Sequence, residues 1–319
     1  MASSEFEIIK QYFDKPWPAS DYADVVYGIG DDCAIIAPPP GFDLVASVDT
    51  LVADVHFPAS ANPYDIACRA LAANASDLSA MGASPGWFTL ALTLPEPNPV
   101  WLASFSEGLF DSARQYGMPL VGGDTTRGPL SITLQVQGYV PVGGALRRDG
   151  AAVDDDIYVT GWLGRAGAWL ALSDQQKSQE KLLYQHFYRP PSRLDLGVAL
   201  RGLASAVIDI SDGLLADLGH ILERSHVGAS ILLEDIPYSD KVARLMGKSR
   251  AIDLALSAGD DYELCFCAPG KYRKSIALLS QDFGIPITRI GKICIDEHLA
   301  LLNKEGQPVA FEQQGYQHF

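Results

Sequence analysis

Five aspartates stand where a carboxylate is either costly or poised for chemistry. Asp32 follows the Gly28–Gly30 turn. Asp49 ends an apolar segment, with Ser47 on the same side by period two. Asp77 lies on a helical stripe with Ala70, Asn74 and Met81. Asp124 follows Gly122 and Gly123 at the end of an expected strand. Asp209 repeats the Ser47/Asp49 pattern with Ser211, and Asp212 follows. An ionised carboxylate on a small apolar face costs several kcal/mol unless something pairs with it. Two readings are open: each acid caps a helix or closes a turn, or the set converges on hard cations. Oxygen donors without Cys or His suit Mg²⁺, Ca²⁺ or Mn²⁺ rather than zinc. Mg²⁺ shares its shell with phosphate oxygens, and Gly-rich turns offer free backbone N–H groups to phosphate. The residues therefore point to nucleotide chemistry.

The elements that must position these acids can be read from periodicity and punctuation. Residues 5–14 read as a short helix and Val25–Tyr27 as extended. A strand is expected over 42–48. Asn62-Pro63 starts a helix that runs to Met81 and stops at Gly82, with a capping Asn and Pro at the first helical position. A strand over 87–94 and a helix over 99–117 follow. Leu120-Val121 leads into Gly122-Gly123-Asp124, and 130–140 alternates as a long strand. The Gly- and Asp-rich segment Val142–Asp156 marks a boundary, giving domains 1–145 and 146–319. Beyond it come a strand at Ile157–Gly161, a helix near 165–173, a breaker at Arg189-Pro190-Pro191-Ser192 and a helix to about 204. A buried strand at Ala206–Ile210 then runs into Ser211-Asp212-Gly213 and another helix. The class is mixed α/β (α+β) in two halves.

Familiar nucleotide motifs fail. Gly247-Lys248-Ser249 looks like the tail of a P-loop, but Val242 stands where the motif needs Gly. Gly28-Ile29-Gly30 begins like a dinucleotide fingerprint, but position 33 is Cys and no helix signal follows. No His-Glu-x-x-His run or Gly-x-Ser-x-Gly elbow occurs.

Composition narrows the field further. The 319 residues carry 24 Lys+Arg against 39 Asp+Glu, a formal charge of −15. Such a chain is a poor ligand for nucleic-acid backbone or anionic membrane. No apolar run approaches the ~20 residues that span a bilayer, and no apolar signal core opens the chain. Five cysteines, odd in number and without a Cys-x-x-Cys pair, suit reduced thiols in the cytoplasm. Cys265 and Cys267 share one strand face and read as core.

Taken in order, the segments are Gly28–Ala34, Ser47–Val52 with His56-Phe57, Asn74–Ala83, Gly122–Gly128, Asp209–Leu214 and Ser257–Leu264. In this order and spacing they resemble the thiamine-monophosphate kinase family, part of a group of ATP-dependent enzymes related to aminoimidazole ribonucleotide synthetase. The resemblance runs from Phe6 to the closing Gly315–Phe319. It implies a two-domain subunit whose N-terminal sheet forms a β-barrel across a homodimer, with ATP and several Mg²⁺ ions in the cleft between domains. The implied reaction moves the γ-phosphoryl of ATP onto thiamine monophosphate, giving thiamine diphosphate and ADP.

By motif match, the resemblance gives Asp32, Ser47, Val48 (through its backbone), Asp49, Asp77, Asp124, Asp209 and Asp212 to Mg²⁺. It gives Gly123, Asp124, Arg148 and Ser211 to ATP, and His56, Asp260 and Tyr316 to thiamine monophosphate. No catalytic group beyond these ligands is expected. The acceptor phosphate is already ionised near neutral pH, so cations and alignment replace a general base. Three departures stand out: Val48 where the family often has Thr, Asp260 where Glu is usual, and Val153-Asp154 where Pro-Gly is usual. Competing readings are a sibling synthetase acting on an aminoimidazole ribonucleotide or selenophosphate, and a non-catalytic nucleotide or cation binder. The selenium enzymes carry a reactive Cys or selenocysteine in their N-terminal motif, whereas here Cys33 directly follows Asp32 in the kinase-like context.

Overall fold

The structure is a computed structural model in which residues 4–15, 17, 22 and 24–311 are described. The chain divides into two compact units. The first comprises residues up to Leu78 together with Ala83–Gly143; the second comprises Ser79–Gly82 and the chain from Gly144 onward.

The first unit contains α1 (Glu5–Ile8), β1 (Val25–Tyr27), β2 (Ile35–Ile36), β3 (Phe42–Val52), α2 (Pro63–Ala80), β4 (Ser84–Leu94), α3 (Pro99–Tyr116), β5 (Leu120–Arg127) and β6 (Ser131–Pro141). The expected helix over 5–14 is a single α-turn that opens into a π-helical stretch at Ile9–Phe13. Both long helices start as their sequences dictate. Asn62 Oδ1 accepts the Tyr64 amide, and Asn98 Oδ1 accepts those of Val100 and Trp101, with Pro at the first helical position each time.

The main sheet runs β3-β6-β4-β5, antiparallel except for the parallel β4–β5 pair. β3 is longer than expected because all eleven of its residues pair with β6. It is an edge strand with two unlike faces. Phe42, Leu44 and Val48 are exposed on one, whereas Ser47, Asp49 and the buried Leu51 share the other. No closed sheet occurs among the described residues: β3 and β5 are the two edges.

The second unit contains β7 (Asp156–Thr160), α4 (Arg165–Ala171), α5 (Asp174–Lys177), α6 (Lys181–Tyr188), α7 (Leu194–Ala199), β8 (Ala206–Asp209) and α8 (Leu214–Ser225). These are followed by β9 (Gly228–Leu232), α9 (Asp240–Met246), α10 (Lys248–Ser257), β10 (Leu264–Ala268), α11 (Arg273–Phe283), β11 (Ile287–Cys294) and β12 (Leu299–Leu302). Its sheet order is β12-β9-β11-β7-β10-β8, antiparallel except β12–β9. The central strands are buried on both faces, which explains their unbroken apolar runs. Ile157, Val159, Ile208, Cys265 and Cys267 enter one core cluster, and Tyr158, Val207, Leu264 and Phe266 the other. Burial raises both thiols, so the two cysteines pack as core. Among the described residues no helix is long and apolar enough to cross a membrane.

Candidate active site

In the first unit, β3 and α2 bring three of the expected ligands together. Ser47 Oγ donates to Asp77 Oδ2 in a short hydrogen bond. The Asp49 amide donates to Asn74 Oδ1 at 3.1 Å, and Asn74 Nδ2 is anchored on Ala70 O at 2.9 Å. The half-buried face of β3 thus lies on the small-residue stripe of α2, and both acids follow from those two periodicities. Burial first, and the neighbouring Asp77 charge second, push the Asp49 carboxyl up to about 6. Val48 points to the opposite face with 59% of its surface exposed, so only its backbone faces the direction of Ser47 and Asp49.

Asp32 and Asp124 line a common open cavity of about 500 Å³, together with Gly28–Ala34, Gly122–Thr125, Leu90 and the side of the N-terminal helix bearing Phe6, Ile9 and Phe13. Asp124 is not at a strand end. β5 continues to Arg127 because its pairing with β4 persists through both glycines, opposing Leu90 to Gly123 and Ala91 to Asp124. That approach requires glycine: a Cβ on Gly123 would sit 1.9 Å from Leu90 O. The cavity is therefore lined by four acids, Glu5, Asp31, Asp32 and Asp124, together with glycine-bearing backbone and apolar side chains.

His56 lies beyond the end of β3. Its Nδ1 accepts the Val52 amide at 3.0 Å, which makes Nε2 the protonated nitrogen of the neutral ring. Arg69 Nε bonds the His56 carbonyl at 3.2 Å.

In the second unit, Asp209 ends β8 buried, and Ser211 and Asp212 follow half-buried in the turn before α8. Asp217 organises that turn. Its Oδ2 accepts the amides of Ser211, Asp212 and Gly213 at 3.0, 3.1 and 3.1 Å. Burial pushes its carboxyl up to about 7, against the downward pull of those amides. Sequence reasoning passed over Asp217; its one signal was an acid in the first turn of a helix, which is ordinary. Asp260 is held with φ +67, and its Oδ1 accepts Tyr262 Oη at 3.1 Å. Arg148 is exposed, and its carbonyl accepts Ser225 Oγ at 2.8 Å. Tyr316 lies outside the described residues.

Behind Asp260 sits a buried polar network that the sequence did not announce. Asp261 accepts the amides of Gly164, Arg165 and Ala166 at 2.6, 3.1 and 3.3 Å, capping α4. Glu263 takes a bidentate pair from Arg193 at 2.6 and 2.7 Å and a bond from Thr160 Oγ1 at 2.6 Å. His186 is 7% exposed, and its Nε2 has no hydrogen-bond partner among the described residues. Burial, reinforced by Arg165 and Arg193, lowers its pKa from 6.5 to about 3. The unfolded chain therefore binds a proton near pH 6.5 that the native state refuses until about pH 3, and stability falls as pH drops through that window. The expected contribution of His186 to the loss between pH 7 and pH 5 is about 2 kcal/mol. Urea unfolding of the wild type and His186→Gln at both pH values checks it; equal pH slopes would contradict the assignment.

The acids are grouped as small sets. Among the described residues no group of three or more His, Cys, Asp or Glu side chains stands ready to hold a metal ion. The Ser47/Asp49/Asp77 group still fits a hard cation on its own evidence. Its donors are all oxygen, and two carboxylates repel each other there in a partly buried setting.

The family model of the AIR synthase related protein N-terminal domain matches residues 30–140, and that of the C-terminal domain matches residues 152–302. The chain is 46% identical over 325 residues to thiamine-monophosphate kinase of Escherichia coli (strain K12), covering 100% of this chain and 99% of that one. The crystal structure of thiamine-monophosphate kinase from Stenotrophomonas maltophilia K279a superposes with a TM-score of 0.84 at 43% identity, covering 90% of this chain and 92% of that one. A structure of AaThiL complexed with AMPPCP and TMP superposes with a TM-score of 0.76 at 29% identity, covering 88% and 89%.

Proposed function

The chain belongs to the AIR synthase related family and, within it, to the thiamine-monophosphate kinases, and from that membership we propose that it phosphorylates thiamine monophosphate with ATP. The products are thiamine diphosphate and ADP. The observation that carries this reading is identity of 46% along the whole chain to a relative named for that activity. The AaThiL complex supports ATP and thiamine monophosphate as the two ligands.

The geometry suits this chemistry. The cavity beside Gly122–Thr125 joins apolar side chains and glycine-bearing backbone to four carboxylates, whose charge bound cations would offset against the phosphates of a nucleotide. In this reading Gly123 and Asp124, with Ser211 and the exposed guanidinium of Arg148, hold ATP; an Arg fork matches phosphate oxygens. His56, through its Nε2–H, together with Asp260 and Tyr316, takes thiamine monophosphate. Asp260 accepts the Tyr262 hydroxyl and so keeps one carboxylate oxygen oriented, although it is a methylene shorter than the usual Glu.

Asp32, Ser47, the Val48 carbonyl, Asp49, Asp77, Asp124, Asp209 and Asp212 would hold several Mg²⁺ ions, which when bound neutralise phosphate charge. The residues otherwise align an already ionised acceptor oxygen with the γ-phosphorus, and no general base is needed.

The assembly is proposed to be a homodimer. β3 is an eleven-residue edge strand with Phe42, Leu44 and Val48 exposed along one face, a surface that pairing of two sheets into a barrel would cover. Five free cysteines suit the reducing cytoplasm.

ADP release should depend on thiamine monophosphate. With ATP and Mg²⁺, adding thiamine monophosphate should accelerate ADP release by about 100-fold or more, while thiamine and aminoimidazole ribonucleotide should not. Equal stimulation by the ribonucleotide would favour a sibling synthetase. For Tyr316→Ala, the Michaelis constant for thiamine monophosphate should rise more than that for ATP.

A further inference from the structure

The loop carrying Ser211 and Asp212 belongs to neither β8, which ends at Asp209, nor α8, which begins at Leu214. A short loop between elements would ordinarily be mobile, yet this one is fixed from two sides. On one side, a single oxygen of Asp217 takes three consecutive amides, Ser211 to Gly213, at 3.0–3.1 Å. Asp217 is 2% exposed, so water does not compete for that oxygen. The three amides favour the ionised form of that carboxyl, to which each hydrogen bond is about twice as strong as to a neutral acceptor.

On the other side lies Gly259–Tyr262. The Asp260 amide donates to Ser211 O and the Tyr262 amide to Ile210 O, both at 2.9 Å. A Cβ on Gly259 would sit 2.0 Å from Ser211 O, so the two loops touch backbone to backbone. Asp260 and Tyr262 take φ of +67 and +51, a left-handed conformation costing about 1–2 kcal/mol per residue. Asp tolerates that region, and the Tyr262 hydroxyl donates to the Asp260 carboxylate within the same turn. The strain persists because the flanking bonds to Ser211 and Ile210, and the cap made by Asp261 between them, over-determine the loop.

We propose that Asp217 is a positioning residue for phosphoryl transfer. Its carboxylate fixes the Ser211–Gly213 backbone, and through the Ser211 and Ile210 carbonyls it also fixes the strained loop that bears Asp260. One buried carboxyl group thereby sets both a donor-side group, Ser211, and an acceptor-side group, Asp260. This rests on the assignment of Ser211 and Asp260 to the two ligands made above.

Asp217→Asn keeps the side-chain shape while weakening the acceptor, and hydrogen exchange with steady-state kinetics tests it. In the wild type without nucleotide or cation, the amides of Ser211, Asp212 and Gly213 should exchange as slowly as the strand amides of β8. In Asp217→Asn those three amides, and those of Asp260 and Tyr262, should exchange faster while β8 and β10 stay protected. Turnover should fall about 100-fold, as for a misplacement of about 1 Å, and the Michaelis constants for ATP and thiamine monophosphate should both rise. A merely structural role would lower turnover by loss of folded enzyme, with both constants unchanged, and that result would overturn the proposal. Rapid wild-type exchange at 211–213 would also overturn it, and this arm decides even if the variant does not fold. Absence of thiamine diphosphate formation by the wild type would instead sink the functional reading and leave the exchange result standing.

Discussion

Asp49→Ala lowers turnover by about 1000-fold, the scale expected when one electrostatic stabiliser of a charged transition state is removed, and leaves the cation-free fold at least as stable as the wild type. The second half of this expectation separates a ligand from a structural acid. Asp49 is half-buried and faces Asp77, so its carboxyl is already pushed up to about 6 by burial and by that charge. At neutral pH its ionised form is a liability to the empty fold. The contact that holds its backbone, the Asp49 amide on Asn74 Oδ1, does not involve the side chain and survives the substitution. Thermal unfolding with and without Mg²⁺ reads the difference. The wild type should gain stability from the cation, because a ligand that binds only the native state shifts the equilibrium, and the variant should gain less. Wild-type turnover in Asp49→Ala would refute its place among the cation ligands, and a large loss of cation-free stability would make the acid structural instead. Asp124→Ala should behave similarly in turnover.

Arg193→Met destabilises the protein by about 3–5 kcal/mol, the cost of breaking a buried ion pair from one side. Glu263 is 1% exposed and sits in β10's approach, one residue before the strand begins. Removing its bidentate partner leaves a buried carboxylate supported by Thr160 Oγ1 and by the charge of Arg165. The charge is the problem, so neutralising it should help. Arg193→Met combined with Glu263→Gln should recover most of the loss. Urea unfolding of the single and double variants measures this directly. A single-variant loss under about 1 kcal/mol, or a double variant no better than the single, would contradict the account.

Some of this architecture was legible from residue order. Asn62-Pro63 announces α2 because a short acceptor and a fixed φ act locally, without help from the rest of the chain, and Asn98-Pro99 starts α3 in the same way. Ser47 and Asp49 share a face by strand geometry, and Asn74 and Asp77 share one by helix geometry, so their meeting followed once β3 and α2 were placed together. What was not legible depended on partners distant in sequence. β5 continues through Gly122-Gly123 because β4 lies alongside, and nothing in the glycines themselves says so. Asp217, Asp261 and Glu263 look like surface acids in the sequence. Asp261 and Glu263 are saturated by an amide and a guanidinium 97 and 70 residues away, whereas Asp217 turns back on amides only four to six residues before it, a bond that the sequence of a helix start does not reveal. The resemblance names candidate ligand-binding residues, but not the buried acids packed beside them.

Direct transfer between two phosphates is tested most directly by a label on the moving group. Incubation of the protein with [γ-³²P]ATP, Mg²⁺ and thiamine monophosphate should place the label in the terminal phosphoryl of thiamine diphosphate, one for each ADP formed. ADP formed with all of its label in inorganic phosphate, and no labelled thiamine diphosphate, would contradict it.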